Sequence, residues 1–146
     1  MPNKRPEKLS IVLHSGEFDK IHYALVMASA AAAIDIPVTL LFTMGASRAL
    51  QASPENSWQC LPGGAAAGTK GTVRDINQKL KKRNVATFEE LLQSCVSLGV
   101  KFMVCEMGLK AMDLKDKPLR SDVPLEAGGI VTFFNDSFEH GQMIFI

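Results

Sequence analysis

Chemistry in this 146-residue chain has to come from few side chains: three cysteines, Cys60, Cys95 and Cys105, and three histidines, His14, His22 and His140. The cysteines are odd in number and none belongs to a C-x-x-C pair, so neither a disulfide framework nor a zinc site is indicated. In a reducing compartment that leaves thiol chemistry or inert burial. Cys105, within KFMVCEMGLKAM (residues 101–112), stands where an apolar run gives way to a charged, amphipathic one. A thiol there opens a helical stretch beginning at Met107, and unpaired N–H groups at a helix start favour a thiolate over a thiol. The adjacent Glu106 works against it. Residue type and position alone leave Cys105 between a reactive thiol and a small buried hydrophobe.

Cys95 shares the apolar spacing of Phe88, Leu91, Leu92 and Leu98, and reads as core. Cys60, beside Trp58 and Pro62, reads as accessible, either without a role or as a second, resolving thiol. His14 and Ser15, before Gly16, end a strand pattern. They either flank Cys105, as base or cation and as hydrogen-bond donor, or form a satisfied polar pair. His22 and His140 read as surface residues on helices, with no partner at metal spacing. No metal or cofactor is expected. The run GGAAAGTKGT (residues 63–72) lacks both the Gly-Lys-Ser/Thr spacing and the preceding strand of a phosphate-binding loop. HSGEFD (residues 14–19) has one glycine where a dinucleotide fold needs three.

The elements that must position these residues alternate. Residues 9–14 (LSIVLH) form a buried strand pattern, residues 18–34 an alanine-rich helix, and residues 38–44 (VTLLFTM) a second strand pattern, followed by a short helix over 46–51. Residues 52–83 break the rhythm and read as a mobile insertion rich in small residues, then basic. Thr87 and Glu90 have capping-box spacing ahead of a helix that stops at Gly99; residues 100–105 form a third strand pattern and 107–114 a short helix. After a polar loop, residues 123–127 suggest a short strand, 130–140 a helix or strand, and QMIFI a last strand. This alternation predicts one α/β/α domain over residues 1–146 with a mostly parallel sheet of four or five strands. Ligands of such sheets gather outside the strands' carboxyl ends, beyond His14, Met44 and Cys105.

With 47% hydrophobic and 21% charged residues and a net charge of +1, nothing calls for nucleic acid or an anionic membrane as partner. The longest apolar tract, residues 24–34, is mostly alanine and too short to span a bilayer. MPNKRPEKLS carries no cleavage pattern, which makes the cytoplasm the default location.

The whole pattern resembles the DsrE/DsrF-like family, in its branch labelled predicted peroxiredoxins. The resemblance is carried by IVLHSGEFDKIHYALVMASAAAA, VTLLFTM, ATFEELLQSCVSLGVKFMVCEMGLKAMDL and EAGGIVTFF. Its specific part is the combination of a FEELL helix, a strand ending in Cys and a Met-rich turn. The resemblance implies a three-layer α/β/α domain with a five-stranded sheet in the order 2-1-3-4-5, assembled as a homo-oligomer. It also implies that Cys105 carries sulfane sulfur as a persulfide or thiosulfonate in cytoplasmic sulfur transfer between donor and acceptor proteins or small sulfane compounds. His14, Ser15, Gly16, Cys60, Glu106 and Met107 are the expected surrounding positions. The competing functions are a non-catalytic binding or scaffold protein and a thiol peroxidase. Where some relatives carry a methionine-rich insertion, this chain has alanine and glycine.

Overall fold

Every residue of LSIVL (β1, Leu9–Leu13) and VTLLF (β2, Val38–Phe42) is buried, as is KFMVC (β3, Lys101–Cys105) from its second residue on. Continuous apolar runs of this kind are what a parallel sheet covered on both faces requires. The computed structural model, which describes residues 5–52, 57–63 and 72–146, adds β4 (Leu125–Gly128) and β5 (Gln142–Phe145) at the two edges. All pairings are parallel, in the order β4-β3-β2-β1-β5.

The expected α/β class with a five-stranded parallel sheet is therefore found, but the order 2-1-3-4-5 is corrected. β1 lies between β2 and β5, and β3 between β2 and β4. Three successive connections advance one strand in the same direction, and only the last returns across the sheet. Because parallel crossovers are right-handed, forward connections stack on one face and a returning one covers the other. Accordingly α1 (Phe18–Ala33) and α3 (Phe88–Ser97) pack together on one face, joined by Leu109, Leu114 and Val123 of the β3–β4 connection. The opposite layer rests on α5 (Ile130–Asp136), whose Phe133 closes over Val12, Leu41, Met103 and Cys105.

Local sequence explains the helices. The buried Ala24 and Ala28 give α1 a face with little bulk, so it lies close to the sheet and to α3. Thr87 and Glu90 make the expected reciprocal cap of α3, and Gly99 ends it at φ 79°, a left-handed conformation that glycine adopts without strain. The opposite end of α5 is pinned by Asp136, whose carboxylate accepts hydrogen bonds from Lys8, Thr39 (2.6 Å) and Lys101 (2.9 Å). Burial pushes this carboxyl up, but the bonds from Lys8, Thr39 and Lys101 outweigh it and hold the group at about 2.

Three further expectations are revised. Residues 52–83 are not structureless throughout: a 3-10 turn (Trp58–Cys60) seats Trp58 in the core, and α2 (Val73–Lys82) carries its own Thr72–Asp75 capping box. Residues 53–56 and 64–71, including most of the glycine-rich run and much of the stretch expected to be mobile, lie outside the described residues. His22 is buried rather than at the surface, its Nε2–H donating to the Ala86 carbonyl at 2.9 Å, because residue 22 lies on the apolar stripe of Phe18, Ile21 and Leu25. His140 stands in the turn after α5, not on a helix.

Candidate functional site

Register determines what surrounds Cys105. Leu13 is level with Phe42, Phe42 with Val104, and Cys105 with Gly128. Thr43 continues β2 by one residue, extended at φ −141° and ψ 162°, with its N–H donating to Leu13 O at 3.0 Å. His14, Thr43, Cys105 and Gly128 thus form the row at the carboxyl edge. Two residues earlier, Val12, Leu41 and Met103 face α5, and strand alternation turns this row the same way.

Cys105 is only 5% exposed and is the N-cap residue of α4 (Glu106–Ala111). Its side chain makes no capping hydrogen bond, nor does that of Thr43, which stands at the N-cap of the 3-10 turn Met44–Leu50. Glycines bring the three edge loops together. A Cβ on Gly16 would stand 3.1 Å from Gly45 O, and one on Gly108 would stand 2.6 Å from both Thr43 Oγ1 and Met44 N. Glu106 is exposed, and Met107, 70% exposed, projects from the first turn of α4.

The corrected strand order separates other expected partners from Cys105. β2 intervenes between β1 and β3, so His14 lies two strand spacings away, roughly 10 Å. Its ring packs at a tilt against Phe145, with centroids 5.4 Å apart. Ser15 Oγ accepts from Glu17 N–H at 3.2 Å, a local turn contact rather than one to Cys105. Cys60 is exposed, on a segment anchored in the α1/α3 core. Trp58 stacks on Phe88 and donates through Nε1 to Glu89, Leu61 is buried, and Pro62 O accepts from Phe18 N–H. Cys105 instead points into the α5 layer. Cys95 is fully buried, its thiol donates to Leu25 O at 3.6 Å, and burial pushes it up to about 12, which leaves it inert at neutral pH.

Residue spacing did not reveal the Arg120 cluster. Arg120 grips both oxygens of Glu89 and also holds Asp122, beside a polar cleft of about 260 Å³ that includes Gln51, Ser57 and Gln59. Burial pushes Glu89 up, yet its bonds from Arg120 and Trp58 leave it below the usual carboxylate range. Arg120 thereby ties the β3–β4 connection to the start of α3. Among the described residues no group of three His, Cys, Asp or Glu could hold a metal ion, and no helix is long and apolar enough to cross a membrane.

Comparison with known proteins agrees with this architecture. The profile of the DsrE/DsrF/DrsH-like family matches residues 5–145. YrkE of Bacillus subtilis is 26% identical over 160 residues, covering 98% of this chain and 99% of its own. The sulfur carrier protein DsrE2 of Allochromatium vinosum is 27% identical over 159 residues, covering 96% and 98%. The crystal structure of the ychN protein from E. coli superposes with a TM-score of 0.58 at 14% identity, over 95% of this chain and 98% of that one, a likeness of fold.

Proposed function

The chain belongs to the DsrE/DsrF/DrsH-like family, and from that premise we propose that it is a sulfur carrier that holds sulfane sulfur on Cys105 as a persulfide or thiosulfonate and passes it to a partner. A single observation supports this most: Cys105 ends β3 at the carboxyl edge of the sheet, where folds of this class bind ligands, with the N–H groups of the α4 turn beside it. A relative spanning nearly the whole chain bears the name sulfur carrier. With a persulfide donor R–S–SH, the Cys105 thiolate attacks the outer sulfur; the Sγ–S bond forms, the S–S bond of the donor breaks, and R–S⁻ leaves. One thiolate is consumed and one released, the proton stays with the transferred sulfur or passes to R–S⁻, and no outside oxidant or reductant is needed.

Glu106 and Met107, both exposed beside Cys105, are the positions a donor or acceptor would meet first, while His14, Ser15 and Gly16 follow β1 at the same carboxyl edge and Cys60 is exposed on the segment packed against α1 and α3. The same reading puts the protein in the cytoplasm as a homo-oligomer. Ile130, Val131 and Phe134 of α5, with Phe138, Met143 and Phe145, leave apolar side chains exposed around the thin layer. A non-catalytic binding protein is the second reading, favoured by the burial of Cys105.

Native mass spectrometry after exposure to thiosulfate, tetrathionate and a persulfide donor tests both parts. The wild type is expected to gain sulfur and to fly as an oligomer. Cys105→Ser should lose the added sulfur, and Cys95→Ser should keep it. Sulfur uptake that persists in Cys105→Ser removes the carrier reading, and a monomer at micromolar concentration removes the assembly. Loss of uptake in a Cys60 variant would instead point to a relay between two thiols.

A further inference from the structure

The geometry points to Thr43 as the hydrogen-bond donor to sulfur on Cys105, a positioning role that rests on the carrier reading for its biological purpose but not for its chemistry. In the observed order the strand beside β3 on its inner side is β2, and the residue level with Cys105 on that strand is Thr43. Residues level with each other on neighbouring strands stand roughly 5 Å apart at Cβ, so a hydroxyl and a thiol on the same face are neighbours; no hydrogen bond joins Thr43 to the unloaded Cys105, and the contact is one that a thiolate or an added outer sulfur would make. The face is shared: Thr39 of β2 reaches Asp136 of α5 and Leu41 packs under Phe133, so Thr43, next in the alternation, turns the same way as Cys105.

Two further observations support the role. Thr43 is largely buried and its hydroxyl is not used to cap the turn it begins. Its Oγ1 also lies against Gly108, on the first turn of the helix that Cys105 opens. A side chain at Gly108 would occupy the space between this hydroxyl and the α4 backbone. The hydroxyl can donate to a thiolate, and equally to the outer sulfur of a persulfide, which projects one S–S bond, about 2.05 Å, beyond Sγ.

Nearby charges do not substitute for this donor. His14 is in the same row but beyond β2. Glu106 is exposed, Lys110 lies a turn further along α4, and Glu126 on β4 is paired with Lys101. The acid on α5, Asp136, is held at the opposite edge of the sheet by Lys8, Thr39 and Lys101.

The test is the pH dependence of Cys105 alkylation by iodoacetamide, followed by mass in the full chain, for the wild type, Thr43→Val and Thr43→Ser. A donor to the thiolate raises the thiolate fraction and lowers its intrinsic reactivity by about half as much on a logarithmic scale. Thr43→Val is therefore expected to react about threefold more slowly than the wild type at pH 7 and about threefold faster at pH 10. The two profiles cross, and Thr43→Ser restores the wild-type curve. A change in packing alone would shift both ends of the profile in one direction. Should valine prevent folding, Thr43→Ala against Thr43→Ser gives the same comparison, since the two differ by the hydroxyl alone.

Profiles that coincide or shift uniformly overturn the role of Thr43, whatever the sulfur-loading result. A wild type that takes up no sulfur removes the carrier reading, while the crossing still decides for or against Thr43.

Discussion

Gly108 shows how little room surrounds the thiol. Its missing side chain lets the first turn of α4 settle on Thr43 and Met44, where any Cβ would come within 2.6 Å of a hydroxyl and a backbone nitrogen. Backbone cannot yield as a flexible side-chain tip can, so Gly108→Ala is expected to cost about 1–3 kcal/mol of stability, the usual range for overpacking, and to disturb Cys105 reactivity with it. Urea unfolding of the variant checks this, and an unchanged midpoint would mean that the turn relaxes freely. Cys105 itself was legible in the sequence because a strand pattern ends on it. Thr43 was not, although VTLLFT is as clear a strand, because the neighbour of a residue across a sheet depends on strand order. For the same reason the sequence leaves His14 and Ser15 open between flanking Cys105 and forming a polar pair of their own; the observed order, with β2 between β1 and β3, decides against the first. The stripe of Phe18, Ile21 and Leu25 already contained the signal that His22 is buried.

Helix starts were legible where a capping box stood ahead of an apolar face, as at Thr87. The equal signal at Thr72 was obscured by the small-residue run before it. The short helix α5 was ambiguous by pattern, since four of its seven residues are apolar without a one-sided stripe, and only its Phe133 is buried. Polar anchoring compensates: Asp136 fastens its end to Lys8, a buried lysine, and to Thr39 and Lys101. Asp136→Asn leaves Lys8 charged and buried without a carboxylate, which is expected to cost about 3 kcal/mol in denaturant unfolding at neutral pH. The carboxyl is depressed in the folded state to about 2, from an unfolded value near 3.9. Its stabilisation is therefore complete above about pH 4 and disappears as pH falls towards 2. The wild type should lose its advantage over Asp136→Asn across that window. A gap that persists at pH 2 would show that the carboxylate charge is not what pins α5.

At the level of the sheet, the sequence indicated parallel strands with helical crossovers, which set the class but not the direction in which each crossover steps. That direction makes the two covering layers unequal. One holds α1, α3 and the β3–β4 connection, and the other rests on α5 and Phe133. The arrangement also orders events in time. β1 to β4 are neighbours in the order in which they are made, whereas β5 must find β1 across most of the chain, residues 142–145 against 9–12. Long-range closures of this kind form late and reopen first, because the chain entropy they cost is offset only by contacts made at the end. Since α5 is held between β4 and β5, a partial opening that releases β5 also frees the cover of Cys105 and leaves Cys95, on α3, sealed against α1. Cys105 is thus expected to become alkylated at denaturant concentrations where Cys95 is still protected; simultaneous modification of the two would mean that the molecule opens only as a whole. Access to the thiol would then be governed by the rate at which one edge strand breathes.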